Sequence, residues 1–203
     1  MKIIAIGRNY INHARELNNP VPKEPLFFMM PDSAILKNNQ PFFYPDFSNE
    51  IHFEVEIVVR LNRLGKNIAP EFAYRYYNEI GIGIDFTARD LQKKCKEKGL
   101  PWEIAKSFDG AAPVSNFILL EKLGDINNIN FRLDLNGKTV QQGNTKEMIF
   151  STDQLIAYVS KFITIKIGDL LFTGTPAGVG PVKIGDRLTA YIEGEKLLDF
   201  FIK

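Results

Sequence analysis

Glu54 and Glu56 stand two residues apart in the run HFEVEIVV that begins at His52. The run alternates apolar and acidic residues and is rich in β-branched side chains, so it reads as a strand. On a strand, residues two apart share a face, with side chains about 6–7 Å apart. Two carboxylates at that spacing repel unless a cation lies between them or water screens them, and strand position alone favours a solvated sheet face. Asp85, after the run GIGI and just before an expected helix, adds a third acid. Three carboxylates make an oxygen-ligand set suited to a hard cation such as Mg²⁺ or Mn²⁺. The alternative for Asp85 is a helix N-cap, but Thr87 sits better before Ala88, Arg89 and Asp90, which leaves Asp85 available.

Other residues carry chemistry less specifically. His13 and Glu16 are three apart and would share a helix face. A glutamate touching a histidine fixes its tautomer and makes it a better base toward water, although the same spacing also describes an ordinary surface pair. The stretch from Gly174 to Gly180 supplies turns and backbone N–H groups suited to an anion, but lacks the Gly-Lys-Ser/Thr ending of a P-loop. Trp102 reads as core or lid packing. Lys106 is either a solvated amine or a cation that stabilises an enolate.

The elements that must position these groups are short. Residues 2–6 read as a strand ending at Gly7, and residues 10–17 as a helix stopped by Asn18, Asn19 and Pro20. Pro20, Pro22 and Pro25 make an extended loop. Residues 26–30 and 33–36 are strand-like, followed by a turn at Asn38–Pro41. Helices are expected at 71–78, with Pro70 near its start, and at 87–98, with Thr87 as cap and Gly99 as stop. Residues 151–162 form the best-defined helix, with a Ser151/Gln154 capping box and an apolar stripe of Leu155, Ile156, Val159 and Phe162. The rest is short strands between Gly and Asp. The run KIGD occurs at Lys166 and again at Lys183, each time launching a strand, as in a rolled or barrel-like β structure.

Composition bounds the reading. The chain has 203 residues, is 45% hydrophobic and carries net charge +1, enough for one full domain and too balanced for nucleic acid. The basic run Lys93–Lys94–Cys95–Lys96 with Lys98 reads as the wet face of a helix. The single cysteine, Cys95, excludes an intramolecular disulfide and fits a reducing compartment. The opening MKIIAIGRN holds a four-residue apolar run, too short for a signal peptide or a membrane span. A soluble cytoplasmic protein of one domain, residues 1–203, is expected.

The order of the motifs is distinctive. GRNYINHARE at Gly7, IHFEVEIVV at Ile51, GIGIDFTARDLQ at Gly81, LPWEIAKSFDGAAPVSNF at Leu100 and GDLLFTGTPAGVGPV at Gly168 resemble the fumarylacetoacetate hydrolase family. The resemblance runs from Gly7 to about Ile192 and includes QGNTKEMIFSTDQLIAYVSKFITI before the Thr-Gly-Thr-Pro loop. It is nearest the short, single-domain branch of acylpyruvases and oxaloacetate decarboxylases. It implies a mainly β fold, a mixed β-roll with short helices at its rim, in a homodimer with one divalent cation, Mg²⁺ or alternatively Mn²⁺ or Ca²⁺. Carried over by position, Glu54, Glu56 and Asp85 match the metal carboxylates, and His13 and Glu16 match the pair on the lid helix. Arg8, Gln92, Lys106 and Thr175 fall where the substrate's carboxylate or keto oxygen approaches. The family often has a lysine where this chain has Met30, which bears on substrate size or charge.

The implied activity is cleavage of a carbon–carbon bond through an enolate: acylpyruvate hydrolysis, oxaloacetate decarboxylation, or both. Lys106 would favour the growing charge, and His13 would activate water for the hydrolysis only. A keto–enol tautomerase, a keto sugar acid dehydratase and a metal-stabilised dimeric scaffold without turnover are the alternatives. A mobile lid is expected around His13.

Overall fold

The computed structural model describes residues 1–17 and 19–203. In chain order, β1 (Ile3–Gly7) leads to helix α1 (Ile11–Glu16), then to β2 (Leu26–Met30), β3 (Ile35–Leu36), β4 (Ile51–Phe53), β5 (Val55–Leu61) and β6 (Tyr77–Ile84). Next come β7 (Thr87–Ala88), α2 (Arg89–Lys98), α3 (Glu103–Lys106), β8 (Ala112–Pro113), β9 (Ile118–Leu119), β10 (Asn130–Leu135) and β11 (Lys138–Asn144). The chain ends with α4 (Thr152–Ser160), β12 (Leu170–Phe172), β13 (Gly180–Pro181), β14 (Arg187–Ile192) and β15 (Glu195–Phe201).

A six-stranded mixed sheet in the order β2-β1-β12-β5-β6-β9 organises the molecule. In it β1 pairs parallel with β12, and β5 pairs antiparallel with β6 in the register Val55↔Ile84. A four-stranded antiparallel sheet, β11-β10-β14-β15, packs against one face. The pleat explains the sequence of β5. Ile57 and Val59 enter the core shared with Phe131, Leu133, Ile192 and Phe200. Val58 points the other way, into a second core with Ile3, Met30, Leu170 and Phe172. A sheet buried on both faces needs near-continuous apolar strands, which is what β1 and β5 supply. Glu54 and Glu56 share the parity of Val58, so they sit at the end of the sheet where this second core stops.

The mainly β architecture with short helices is as expected, and its sheets are rolled together but not closed. The KIGD echo holds in detail. At each copy the aspartate carboxylate accepts from the lysine backbone N–H three residues earlier, at 2.7 Å.

Several local expectations change for identifiable reasons. The segment expected as a helix at 71–78 is a 3₁₀ helix, Pro70–Tyr76, because Tyr77 is drawn into pairing with Leu61. Residues 33–36 split into a 3₁₀ turn, Asp32–Ala34, and the two-residue strand β3. Thr87 does not cap α2: it pairs with His52 in β7 and its hydroxyl donates to the Asp85 carbonyl. Helix α2 therefore begins at Arg89, too far along for Asp85 to cap it, and ends at Gly99 in the left-handed conformation with φ 63°. The Ser151/Gln154 capping box is present. Phe162 lies beyond the end of α4 and is exposed, so it leaves the apolar stripe and packs on Phe27 and Tyr158 instead. Of the expected stop after α1, Asn18 lies outside the described residues. No helix among the described residues is long and apolar enough to cross a membrane.

Candidate functional site

The chain breaks its strand pattern at Glu54, between β4 and β5, and turns out of β6 at Asp85. The Asp85 backbone N–H donates to the Glu54 carbonyl at 2.8 Å, tying the two ends together. One carboxylate oxygen from each of Glu54, Glu56 and Asp85 then lies within 4.8 Å of the others, and all three residues are buried. Lys106, at the end of α3 and 2% exposed, reaches them: its Nζ donates to Glu54 Oε2 at 3.0 Å and to Asp85 Oδ2 at 2.6 Å. Arg89, at the start of α2, donates to Glu54 Oε1 at 2.6 Å and to Gln92 Oε1 at 2.7 Å. Glu56 has no such cation. Its Oε2 accepts the Gly174 backbone N–H at 2.7 Å.

The electrostatics follow from these partners. Burial alone would raise Glu54, but Lys106, Arg89 and His13 outweigh it and hold the carboxyl far below the ordinary range. Burial raises Glu56 strongly, and the neighbouring Asp85 and Glu54 charges add to this. Burial also lifts Asp85, against the pull of Lys106, to about 7. Burial opposes charge on Lys106, yet Asp85 and Glu54 raise it above its ordinary value. Three carboxylates thus share two cationic side chains, and Asp85 Oδ1 is buried with no hydrogen-bond partner among the described residues. A small hard cation beside Glu56 and Asp85 would complete this balance, so the donor set fits a divalent metal.

The same cleft, about 410 Å³ with solvent at its mouth included, is lined by Arg8, His13, Gln92, Lys106 and Thr175 together with the three acids. Arg8 takes φ 61°, a left-handed conformation seldom adopted by non-glycine residues, at the turn from β1 toward α1. His13 is 4% exposed, and its Nδ1 lies 3.3 Å from Glu16 Oε2. Glu16 stands behind it, its Oε1 accepting the Gly178 N–H at 3.0 Å. The structure therefore gathers all nine residues singled out in the sequence around one cleft. Met30 is not among the lining residues. It is buried in the second core, so the missing lysine alters a core contact rather than the charge of the cleft.

Four participants were not singled out. Arg89 was hidden in a tetrapeptide that reads as a helix cap. Lys96, assigned to a wet helix face, reaches the rim, where burial together with Arg8 and Arg89 pushes its ammonium down. Asn9 is fully buried and bonds Thr173 and Phe150, anchoring the turn before α1 to the 173–178 loop. Gly174 permits this approach: at φ +98° a Cβ there would lie 2.6 Å from Asn9 Cβ. Gln141, a glutamine on a strand, has no local sequence signal at all. Trp102, expected in core or lid packing, lines the cleft beside Phe28.

Comparison with known proteins places the whole chain among relatives of one family. The chain is 42% identical over 201 residues to oxaloacetate tautomerase FAHD1, mitochondrial, of Mus musculus, covering 99% of this chain and 91% of that one. It is 42% identical over 194 residues to the mitochondrial oxaloacetate decarboxylase of Dictyostelium discoideum, covering 95% and 89%. The fumarylpyruvate hydrolase of Pseudomonas aeruginosa, solved with Mn²⁺ and pyruvate, superposes with a TM-score of 0.94 at 33% identity, covering 100% of this chain and 89% of that one. The profile described as Fumarylacetoacetate (FAA) hydrolase C-terminal matches residues 2–198, and with it the chain belongs to the fumarylacetoacetate hydrolase family of enzymes.

Proposed function

We propose that this enzyme cleaves a carbon–carbon bond in small α-keto acids, decarboxylating oxaloacetate and hydrolysing acylpyruvates through a common enolate. The observation that carries the reading is the convergence of Glu54, Glu56, Asp85 and Lys106 with the His13–Glu16 pair on one small cleft. Glu54, Glu56 and Asp85 would hold a divalent cation, Mg²⁺ or Mn²⁺, which when bound supplies Lewis acidity against charge on the substrate's keto oxygen. The relative solved with Mn²⁺ and pyruvate supports both the metal class and the product class.

The chain's own groups do the rest. Arg8, Gln92 and Thr175 bind and orient the substrate carboxylate. Lys106 sits where negative charge grows as the enolate forms, and it favours that state over the ground state. With an acylpyruvate, His13, oriented by Glu16, takes a proton from water as the water attacks the distal carbonyl. The carbon–carbon bond breaks, its electron pair passes to the pyruvate enolate, and a carboxylic acid leaves. With oxaloacetate the same enolate forms as carbon dioxide departs, and no base is needed. Keto–enol tautomerisation of oxaloacetate is the second reading, favoured by the mouse relative's activity. It moves a proton at the same carbon and breaks no carbon–carbon bond.

The whole chain acts as one catalytic unit, since residues from Ile6 to Thr175 line the cleft. Assembly as a homodimer is tested by light scattering: a particle of 23.1 kDa would overturn it. A cytoplasmic location rests on the single cysteine, Cys95, whose thiol is free. The functional experiment is pyruvate release from acetylpyruvate and from oxaloacetate, with Mg²⁺ and with excess chelator, for the wild type and His13→Ala. Metal-dependent release from both, with only the acetylpyruvate reaction lost in the variant, is expected. Enol–keto interconversion of oxaloacetate without pyruvate would replace this reading by the tautomerase.

A further inference from the structure

The 173–178 loop touches three parts of the site at once. Gly174 donates to Glu56, Thr175 lines the cleft, and Gly178 donates to Glu16. Gln141, on β11 and 2% exposed, is one of the side chains that fasten this loop, and it alone among the described residues bonds both Thr175 and Pro176. Its Oε1 accepts the Val55 backbone N–H at 2.9 Å, and Val55 is the residue between the two glutamates. Its Nε2 donates to Thr175 Oγ1 at 2.9 Å and to the Pro176 carbonyl at 2.9 Å. These partners fix the amide's orientation from both ends. A backbone N–H can only donate and a proline carbonyl can only accept, so oxygen faces Val55 and nitrogen faces the loop. Both amide hydrogens are then committed, one of them to Thr175.

Thr175 is therefore forced into the acceptor role on that side. Its hydroxyl proton has to point elsewhere, and no hydrogen bond from it to another group occurs among the described residues. Because Thr175 lines the cleft, that proton is available to a ligand there. The loop packs tightly on the sheet here. Gly178 lies so close to β11 that a Cβ there would be 2.5 Å from the Val140 carbonyl oxygen.

We infer that Gln141 is a positioning residue that fixes the Thr175 hydroxyl as a donor into the cleft, at a set distance from the Glu54–Glu56 carboxylates, and so governs recognition of the substrate's anionic oxygen. The inference rests on the α-keto acid reading. It assigns Gln141 no contact with substrate or metal, and its effect passes through Thr175.

The test is calorimetric titration of oxalate into the Mg²⁺-loaded protein, with Mg²⁺ binding measured separately. The proteins compared are the wild type, Thr175→Val, Gln141→Met and the double variant. Gln141→Met is expected to weaken oxalate about tenfold while Mg²⁺ affinity stays within about twofold, because the threonine proton is free to turn away from the ligand. In the Thr175→Val background the same substitution should change oxalate affinity by less than about twofold, the mark of a residue acting through its partner. In turnover the loss should fall on KM more than on kcat. Should Gln141→Met fail to fold, Gln141→Glu gives the same cycle, since it retains an acceptor for Val55 and makes Thr175 donate away from the cleft. Unchanged oxalate affinity in a folded variant, or an undiminished effect without the threonine hydroxyl, overturns the inference alone. A wild type that binds no oxalate overturns the α-keto acid reading and this inference with it.

Discussion

Two clusters of charge in this molecule use the same side-chain types to opposite ends. On the four-stranded sheet, Asp199 receives two hydrogen bonds from Arg187, each 2.7 Å, and one from Lys196 at 2.7 Å, all in contact with solvent. Every oxygen there is satisfied, and little is gained, because exposed pairs compete with water. In the cleft, three carboxylates are buried beside Lys106 and Arg89, and Glu56 is left with a single backbone donor. Burying charge without full pairing is costly. A fold tolerates such a cluster where the imbalance is the means of binding a cation and an anionic substrate. The surface cluster is well paired and of small consequence, whereas the cleft is poorly paired and is where the proposed chemistry is placed.

Neutralising one acid in the cleft separates these roles most sharply. Glu56→Gln should lower kcat/KM at least about a thousandfold on either keto acid if Glu56 is the proposed metal ligand at the point of charge development. The same variant should raise the metal-free Tm by about 2–4 °C, because it removes the cost of keeping a carboxyl buried beside two other acids while keeping an acceptor for Gly174. Glu54→Gln should abolish activity equally but behave oppositely in stability. It takes the shared carboxylate from Lys106, which keeps Asp85, and from Arg89, which keeps only the Gln92 amide, and breaking such a buried pair costs up to about 3–5 kcal/mol. Thermal scans of the two variants with chelator check this, and equal shifts in the same direction would mean that the two glutamates are not electrostatically distinct.

The pH dependence of the metal-free protein gives the next largest effect. Asp85 titrates at about 7 in the folded chain against an ordinary 3.8, and Glu56 is raised as well. Above pH 4 the unfolded chain has released protons that the folded chain still holds, so stability falls as pH rises. The loss due to Asp85 levels off once the pH passes about 7. Mg²⁺ must displace those protons, so its affinity rises over the same interval. The gain in Tm on adding Mg²⁺ should therefore be much larger at pH 8 than at pH 5. An equal gain at both would show that the raised carboxyls are not the ligands.

Much of this contrast could be read from the chain, and the remainder could not for definite reasons. Glu54, Glu56 and Asp85 were legible because their spacing on a strand and after it places three acids at one sheet end. The two KIGD turns were legible because the hydrogen bond that makes each one is local. Their worth was not. Asp169 is fully buried and paired with Lys2, whereas Asp186 meets Asn136 at the surface, and only the tertiary fold distinguishes them. Thr87 misled because a good capping residue was claimed by strand pairing with His52. Gln141 was invisible because its partners, Val55 on one side and Thr175 with Pro176 on the other, lie in two distant segments.

The surface cluster supplies the smallest effect and the control for the others. Arg187 holds the Asp199 carboxyl down at about 2, with Lys196 assisting. A depressed carboxyl contributes stability that is present above its ordinary value of 3.8 and is lost as pH falls through about 2. Because the pair is open to water, Asp199→Ala should shift Tm by less than about 2 °C at pH 7, and added salt should shrink even that. Turnover should be unaffected, and so should the pH-dependent Mg²⁺ shift. A large loss of stability here would mean that solvent screens this cluster far less than its exposure implies. The division between satisfied surface charge and unsatisfied cleft charge would then fail as an account of where this fold places its chemistry.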